Sequence, residues 1–381
     1  MASGQFLLLL CLAVSVLLQA RAQPDSKGFI SVDCGLSGET GYEDDLTTLT
    51  FAPDAGFIDA GTNRNISAEY ITPPMRKIWY NVRSFPAGER NCYTLRSLVA
   101  GLKYLIRARF LYGNYDGLNR PPLFDLHIGV NYWHTVNISE PDGAIFVEGI
   151  VVVPDDSVQV CLVNTGAGTP FISSLELRPL KRTLYPQATA AQGLALMTRH
   201  NFGPTNDTAS IRYPDDPHDR IWYPMPDTAT WADQISTTQK VQYIDNDVFE
   251  APSVVLQTAV RPRNTSENIV FTWPSDPTPT DTSPGYIIIL HFAELQLLRG
   301  NAVRQMNVIL NDKPWYTSGF PPVYLHDTVA YNGIPFRNSS YTLSVSATAL
   351  TRPCRRSSTL SRSSPSSPPP TSALTPRTYL Q

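Results

Sequence analysis

The 381-residue chain is poor in cysteine, holding five, and that scarcity excludes a small scaffold held mainly by disulfides; the fold has to rest on packing of apolar side chains. Apolar runs long enough to cross a bilayer are missing too. The one extended run, Phe6 to Leu18, falls short of the about 20 residues that a spanning helix needs. It stands ahead of Ala20-Arg21-Ala22, the small-x-small pattern of a secretory signal cut after Ala22. No lysine or arginine precedes it, so an uncleaved anchor is the alternative reading of the same residues. A net charge of −3 offers no basic field for nucleic acid. Helical periodicity is scarce, whereas 33 prolines and 18 tyrosines point to many short strands joined by turns.

Motifs that carry chemistry are also absent. No Gly-x-Ser-x-Gly, His-Glu-x-x-His or two-cysteine metal spacing occurs, and these are the arrangements that make a nucleophile or hold a catalytic metal. Gly166-Ala167-Gly168 lacks the third glycine of a dinucleotide fingerprint and follows a strand as an ordinary turn. Glu43-Asp44-Asp45 and Asp215-Asp216 with Asp219 present hard oxygen ligands without calcium-loop spacing, and read as solvated loop acids. No catalytic residue, cofactor or metal is therefore expected, and the chain is read as a binding protein and not an enzyme.

What is present is a set of five Asn-x-Ser/Thr sequons, at Asn65, Asn137, Asn206, Asn264 and Asn338, each an exposed glycosylation acceptor in a secreted chain. Signal removal leaves Cys34, Cys92, Cys161 and Cys354, which allow three connectivities. Cys92 and Cys161 each sit on or beside a strand-like run of one module, which favours that pair. In the chain-entropy model the loop it closes contributes on the order of 4 kcal/mol. For Cys34 a buried free thiol is an equal reading.

The chain also repeats itself. Tyr104-Leu105-Ile106-Arg107-Ala108-Arg109-Phe110 aligns with Tyr286-Ile287-Ile288-Ile289-Leu290-His291-Phe292 at an offset of 182. Without a gap, Phe124 to Ile128 then falls on Met306 to Leu310 and Trp133 on Trp315. Upstream, Ile78-Trp79-Tyr80 matches Ile221-Trp222-Tyr223 at an offset of 143, so the second copy holds 39 extra residues (182 minus 143), among them a strand candidate at Val254 to Ala259. Each copy reads as antiparallel strands at short spacing, the pattern of a jelly-roll-like β-sandwich. The paired aromatics Trp79, Tyr80, Trp222 and Tyr223 read as packing residues. The copies meet near Arg182 to Arg199, where an Ala/Gln-rich stretch is expected to form one short helix. From Thr351 to Gln381 there are eight Ser, six Pro, five Arg and no acid, a composition expected to stay disordered. The division is a signal at 1–22, a first module at 23–190, a second at 191–349 and a Ser/Pro/Arg-rich tail at 350–381.

Phe29 to Gly35, Phe57-Ile58-Asp59-Ala60-Gly61, Arg83-Ser84-Phe85-Pro86, Asn91 to Leu95, Phe110 to Asp116 and Ser173 to Leu180, taken in order, resemble the malectin-like region of plant leucine-rich-repeat receptor-like kinases. The resemblance implies a mainly β fold of two tandem malectin-like modules, outside the cell, N-terminal to leucine-rich repeats, a membrane span and a kinase. Kinase activity does not carry over, because His-Arg-Asp and Asp-Phe-Gly are absent. The implied partners are a cell-wall oligosaccharide or a secreted peptide, and a co-receptor ectodomain, with no nucleic acid. In malectin an aromatic pair follows the Phe-Ala-Glu strand and contacts glucose; the second copy here has Gln296 and Leu297 at that place, and the first keeps Tyr115 beside Asn114. Tyr112, Asn114, Tyr115 and Asp116 are the candidate ligand residues, since sugars present C–H faces for rings and hydroxyls for amides and carboxylates. A structural turn is the competing reading of the same loop, and a co-receptor docking module without sugar binding is the competing function.

Overall fold

The computed structural model describes residues 27–203, 210–225, 232–244, 246–264, 267–274, 285–298, 302–351 and 373–380. The signal at 1–22, Asn206, Cys354 and most of the tail lie outside the described residues. The chain divides into two compact units, residues 1–182 with 186–195, and residues 183–185 with 196–381. No helix among the described residues is long and apolar enough to cross a membrane.

The first unit runs through β1 (Ile30–Asp33), β2 (Tyr42–Glu43), β3 (Thr50–Pro53), β4 (Thr62–Asn65), β5 (Asn81–Ser84), β6 (Arg90–Leu95), β7 (Lys103–Leu111), β8 (Leu123–Ile128), β9 (Asn131–Asn137), β10 (Ala144–Val152), β11 (Val158–Ala167), β12 (Phe171–Ile172), β13 (Ser174–Leu180) and β14 (Leu194–Ala195). These make a seven-stranded sheet in the order β14-β10-β7-β13-β1-β3-β2, a four-stranded sheet β6-β11-β8-β9 and a three-stranded sheet β12-β5-β4. Strand side chains alternate between faces. Tyr104, Ile106, Ala108 and Phe110 of β7 and Leu175 and Leu177 of β13 therefore point one way, and they share a core with Tyr93, Phe124, Leu126, Val160 and Leu162 of the four-stranded sheet. That is a β-sandwich. Cys92 and Cys161 face each other across the β6–β11 ladder and are disulfide-bonded, closing a separation of 69 residues; Cys34 is free and buried.

The opposite face of β7 is buried as well. Arg107 stands directly across from Glu148 on β10 and Glu176 on β13, donating to them at 2.7 and 2.9 Å. Arg178 donates to Glu176 at 2.7 Å and to the Ile30 carbonyl at 2.6 Å, and Arg109 pairs with the same glutamate. All five side chains are buried, which charged groups tolerate only when paired.

The second unit contains β15 (His200–Asn201), β16 (Tyr223–Pro224), β17 (Ala232–Ser236), α1 (Ser253–Leu256), β18 (Thr258–Pro262), β19 (Ile269–Pro274), β20 (Tyr286–Ala293), β21 (Ala302–Leu310), β22 (Lys313–Pro314), β23 (Thr328–Tyr331), β24 (Ser340–Thr351) and β25 (Ala373–Leu380). Its sheets are β17-β18-β25-β20-β23 and β19-β24-β21-β22, with the pair β15-β16. Ile288, Leu290 and Phe292 of β20 share a core with Met306, Val308, Leu343 and Val345, the arrangement that β7 makes with β8 and β11. The repeat seen at an offset of 182 is thus a repeat of the central strand and its facing partner.

Three expectations are corrected. The Ala/Gln-rich stretch is not helical: Thr189 and Gln192 close a turn, and Leu194–Ala195 pairs with β10, because an open strand edge outweighs weak helical preference. Val254 to Ala259 is not one strand, since α1 takes Ser253–Leu256 and the strand begins at Thr258. The tail is not disordered throughout: Ala373–Leu380 pairs along the whole of β20, from Tyr286↔Leu380 to Ala293↔Ala373. The compositional argument averages a Ser/Pro run together with Ala-Leu-Thr-Pro-Arg-Thr-Tyr-Leu, whose Leu, Thr and Tyr favour strands. β25 holds beside β20 the place that β13 holds beside β7.

Gly35 and Gly285 are among the positions where close backbone approach and positive φ together admit only glycine. Gly35, at φ +86°, would place a Cβ 2.1 Å from the Val82 carbonyl oxygen, and Gly285, at φ +121°, 2.2 Å from that of Phe336. Gly35→Ala is expected to lower the stability of the first unit by on the order of 3 kcal/mol, read as a fall in its thermal unfolding midpoint; an unchanged midpoint would contradict this packing.

Candidate functional site

In the first unit the loop after β7 folds upon itself. Tyr112 is completely buried; its hydroxyl donates to Asp116 and accepts from the Arg120 amide at 3.1 Å. Asn114 takes a left-handed conformation, φ +48°, which asparagine tolerates better than most residues. Its side-chain oxygen accepts from the Asn119 amide at 2.7 Å and its carbonyl from the Ser67 hydroxyl at 2.9 Å. Tyr115 is half-buried, packs its ring 5.2 Å from Phe171 and donates to the Thr169 carbonyl at 3.2 Å. Burial pushes its hydroxyl up to about 12, so it remains a neutral donor. The four candidate residues are therefore brought together, with the two rings turned into the core and only Asp116 fully on the surface.

At the equivalent place in the second unit the chain faces outward. Leu297, 182 residues beyond Tyr115, is 75% exposed. Glu294 lies against Tyr324, its amide donating to Val323 and its carbonyl accepting from Leu325. Gln242 bridges His326. Three segments, Gln242–Ile244, Glu294–Leu297 and Val323–His326, are laced side by side, and they expose Tyr243, Ile244, Leu297 and Val323. Beneath them Leu295 packs with Val241, Ala251, Leu256 and Ala259. The offset of 182 flags Leu297 from sequence; Tyr243, Ile244 and Val323 carry no local signal, because tertiary pairing alone brings them there.

The acidic clusters divide: Glu43, Asp45 and Asp215 are exposed, as solvated loop acids would be, whereas the buried Asp44, Asp216 and Asp219 are ion-paired. Asp44 receives two bonds from Arg76. Asp219 is clamped by Arg212 at 2.8 and 2.7 Å. Asp216 is buried between Arg220 and the Trp222 indole N–H, at 2.8 and 2.6 Å. Burial pushes Asp216 upward, but Arg220 outweighs it and holds the carboxyl below its ordinary range. Trp222 is completely buried, while Tyr80 and Tyr223 are partly exposed. Among the described residues no group of three or more His, Cys, Asp or Glu could hold a metal ion. Four of the sequon asparagines, Asn65, Asn137, Asn264 and Asn338, are exposed.

A family model described as the malectin-like domain matches residues 32–353. A putative leucine-rich repeat receptor-like protein kinase of Arabidopsis thaliana is 40% identical over 316 residues, 82% of this chain and 34% of that protein. A probable LRR receptor-like serine/threonine-protein kinase of the same plant is 43% identical over 320 residues, covering 83% and 34%. The chain thus spans about a third of the length of these curated relatives. Among solved structures, the ANX2 ectodomain from Arabidopsis thaliana is similar with a TM-score of 0.68 at 17% identity, covering 93% of this chain and 97% of that one. A structure of the plant peptide RALF23 in complex with FER and LLG2 is similar with a TM-score of 0.65 at 14% identity, covering 94% and 96%. At these identities the structural likeness shows the fold alone.

Among the described residues, one buried carboxyl is held by neutral hydrogen-bond donors. Asp33, at the end of β1, is bonded by the Tyr42 hydroxyl at 2.7 Å and the Asn81 amide at 2.6 Å. Burial raises it from 3.8 to about 7. An acid raised on folding binds more protons folded than unfolded, so its contribution is full below about pH 4 and is lost as pH rises through 7. Asp33→Asn keeps the neutral form at every pH. Relative to that variant, the wild-type chain is expected to lose stability by roughly a few kcal/mol between pH 4 and 7.5, measured as denaturation midpoints; parallel curves would refute the assignment.

Proposed function

The chain belongs to the malectin-like family, and from that premise we propose that it is the extracellular ligand-binding region of a leucine-rich-repeat receptor-kinase type of protein, without catalysis of its own, and that it recognises a polypeptide. One observation carries the choice of ligand: the rings that a sugar would stack on are turned into the core of the first unit, whereas in the second unit the equivalent Leu297 and the two segments beside it present aliphatic and tyrosine side chains to solvent. A sugar platform needs a flat ring face bordered by hydroxyl-binding groups. Leu297, Ile244 and Val323 with Tyr243 form instead the mixed apolar surface on which protein partners bury area. The structurally similar FER has been solved with a peptide and LLG2, and support from that neighbour extends to the class of partner.

The test uses the full chain secreted from a eukaryotic host, offered in parallel an array of glucose- and galacturonate-type oligosaccharides and the pair RALF23 with LLG2. The expected result is a blank on the array and binding to the polypeptides, weakened about tenfold by Leu297→Glu, equivalent to about 1.4 kcal/mol, and unaffected by Tyr115→Ala. Oligosaccharide binding abolished by Tyr115→Ala, with no response to either polypeptide, would overturn the polypeptide reading in favour of a lectin-like one.

A further inference from the structure

The sheets of the first unit leave few open edges. The seven-stranded sheet ends on β2 and β14, two residues each. The four-stranded sheet ends on β6, where the Thr94 amide donates to the Phe57 carbonyl at 2.9 Å, so that edge is covered by the chain itself. In the three-stranded sheet, β12 is two residues long and completely buried. Two edges remain: β4, with four residues, and β9, with seven. Both are terminal strands in the order of their sheets.

Those two strands carry the two sequons of the first unit. Asn65 is the last residue of β4 and Asn137 the last of β9, and both side chains are exposed. An uncovered strand offers a row of unpaired N–H and C=O groups to any other chain, which is why soluble β proteins block such edges. β9 is the more hazardous of the two. Tyr132 on it is 61% exposed, and Val130, at the tip of the β8–β9 hairpin, is 87% exposed. β9 has no lysine, arginine or proline to guard it. In the second unit the corresponding terminal strand, β22, is only Lys313–Pro314, a two-residue edge bearing both residue types that discourage pairing.

We propose that N-linked glycans on Asn65 and Asn137 are the edge guards of the first unit: each sterically blocks strand addition on an otherwise open edge and keeps the secreted chain monomeric. This rests on the extracellular reading above, since only a chain passing through the secretory pathway acquires these glycans. A bulky, hydrated oligosaccharide at the end of a strand occupies the space that an incoming strand would need, and it does so without asking the edge residues to be charged.

The experiment begins with glycopeptide mass spectrometry of the secreted full chain, where occupancy at both asparagines is expected. Sedimentation and light scattering then compare the wild type with N65Q/N137Q and with N264Q/N338Q. The edge-strand pair is expected to raise the oligomeric fraction roughly tenfold at matched concentration, the other pair to leave the chain monomeric, and N65K/N137K to restore the monomer, because lysine on an edge has the same blocking effect. If N65Q/N137Q is not secreted, trimming the folded wild type with an endoglycosidase to one sugar per site should produce the same rise. Empty sequons would overturn the proposal together with its extracellular premise. Occupied sequons whose loss leaves the chain monomeric, or equal oligomerisation of N264Q/N338Q, would overturn the edge role alone.

Discussion

A strand buried on both faces governs each half of this molecule. β7 has no exposed residue along nine positions, and β20 none along eight. Inside a sandwich one face is automatically apolar, because the facing sheet supplies the other half of the core. The second face belongs to a layer that a two-sheet sandwich would leave to water, and whatever covers it dictates what can stand there. In the first unit that face is ionic, three arginines against two glutamates. Such a network gives little net stability, since desolvation offsets most of the attraction. Its geometry is demanding all the same: Arg107 reaches Glu148 and Glu176 only when β10 and β13 flank β7 in one register, and a slip by one residue would send the charges into the apolar core. The second unit meets the same burial with Ile289 where the first has Arg107, and with His291, bonded to Asp327, where the first has Arg109. The duplicated frame is preserved while the chemistry of its outer face is exchanged.

Much of this frame is legible from composition and spacing. Alternation along Phe124 to Ile128 and along Met306 to Leu310 marks half-buried strands, and the shared 182-residue offset links each to an apolar central run. The pairing of Cys92 with Cys161 follows from two strand-like stretches in one module. What stays hidden is whatever depends on the outer face being buried. Arg107, Arg109, Glu148, Glu176 and Arg178 alternate with apolar residues as a solvent-facing row would, and nothing local distinguishes a covered row from a wet one. The same limit applies to Tyr112, whose neighbours Gly113 and Asn114 are the usual residues of an exposed turn. Its burial is decided by Phe171 and Tyr115, and Phe171 is 59 positions away from it in the chain.

The two equivalent loops show how one frame comes to have one loop turned inward and one turned outward. After β7 the chain places Gly113, at φ +49°, where a Cβ would lie 2.6 Å from that of Ile66. The backbone is thereby pressed onto the core, and Tyr112 and Tyr115 follow it inward. At the position of Gly113 the second copy has Leu295, which cannot make that approach and instead plugs a small apolar cluster with Val241, Ala251, Leu256 and Ala259. All four partners come from the 39-residue surplus that separates the second copy's aromatic pair from its central strand. The insertion therefore does two things at once: Val241 anchors the loop from below, and Tyr243 and Ile244, two and three residues on, extend its surface. Replacement of a ring pair by Gln296 and Leu297 removes the flat face that a sugar requires. With the inserted residues beside it, the same replacement leaves Leu297 exposed next to Gln296, while Glu294 is buried against Arg304, the kind of surface on which the proposed polypeptide would bury apolar area. If the proposed polypeptide recognition holds, the loss of a flat ring face and the gain of an exposed apolar one are a single structural change.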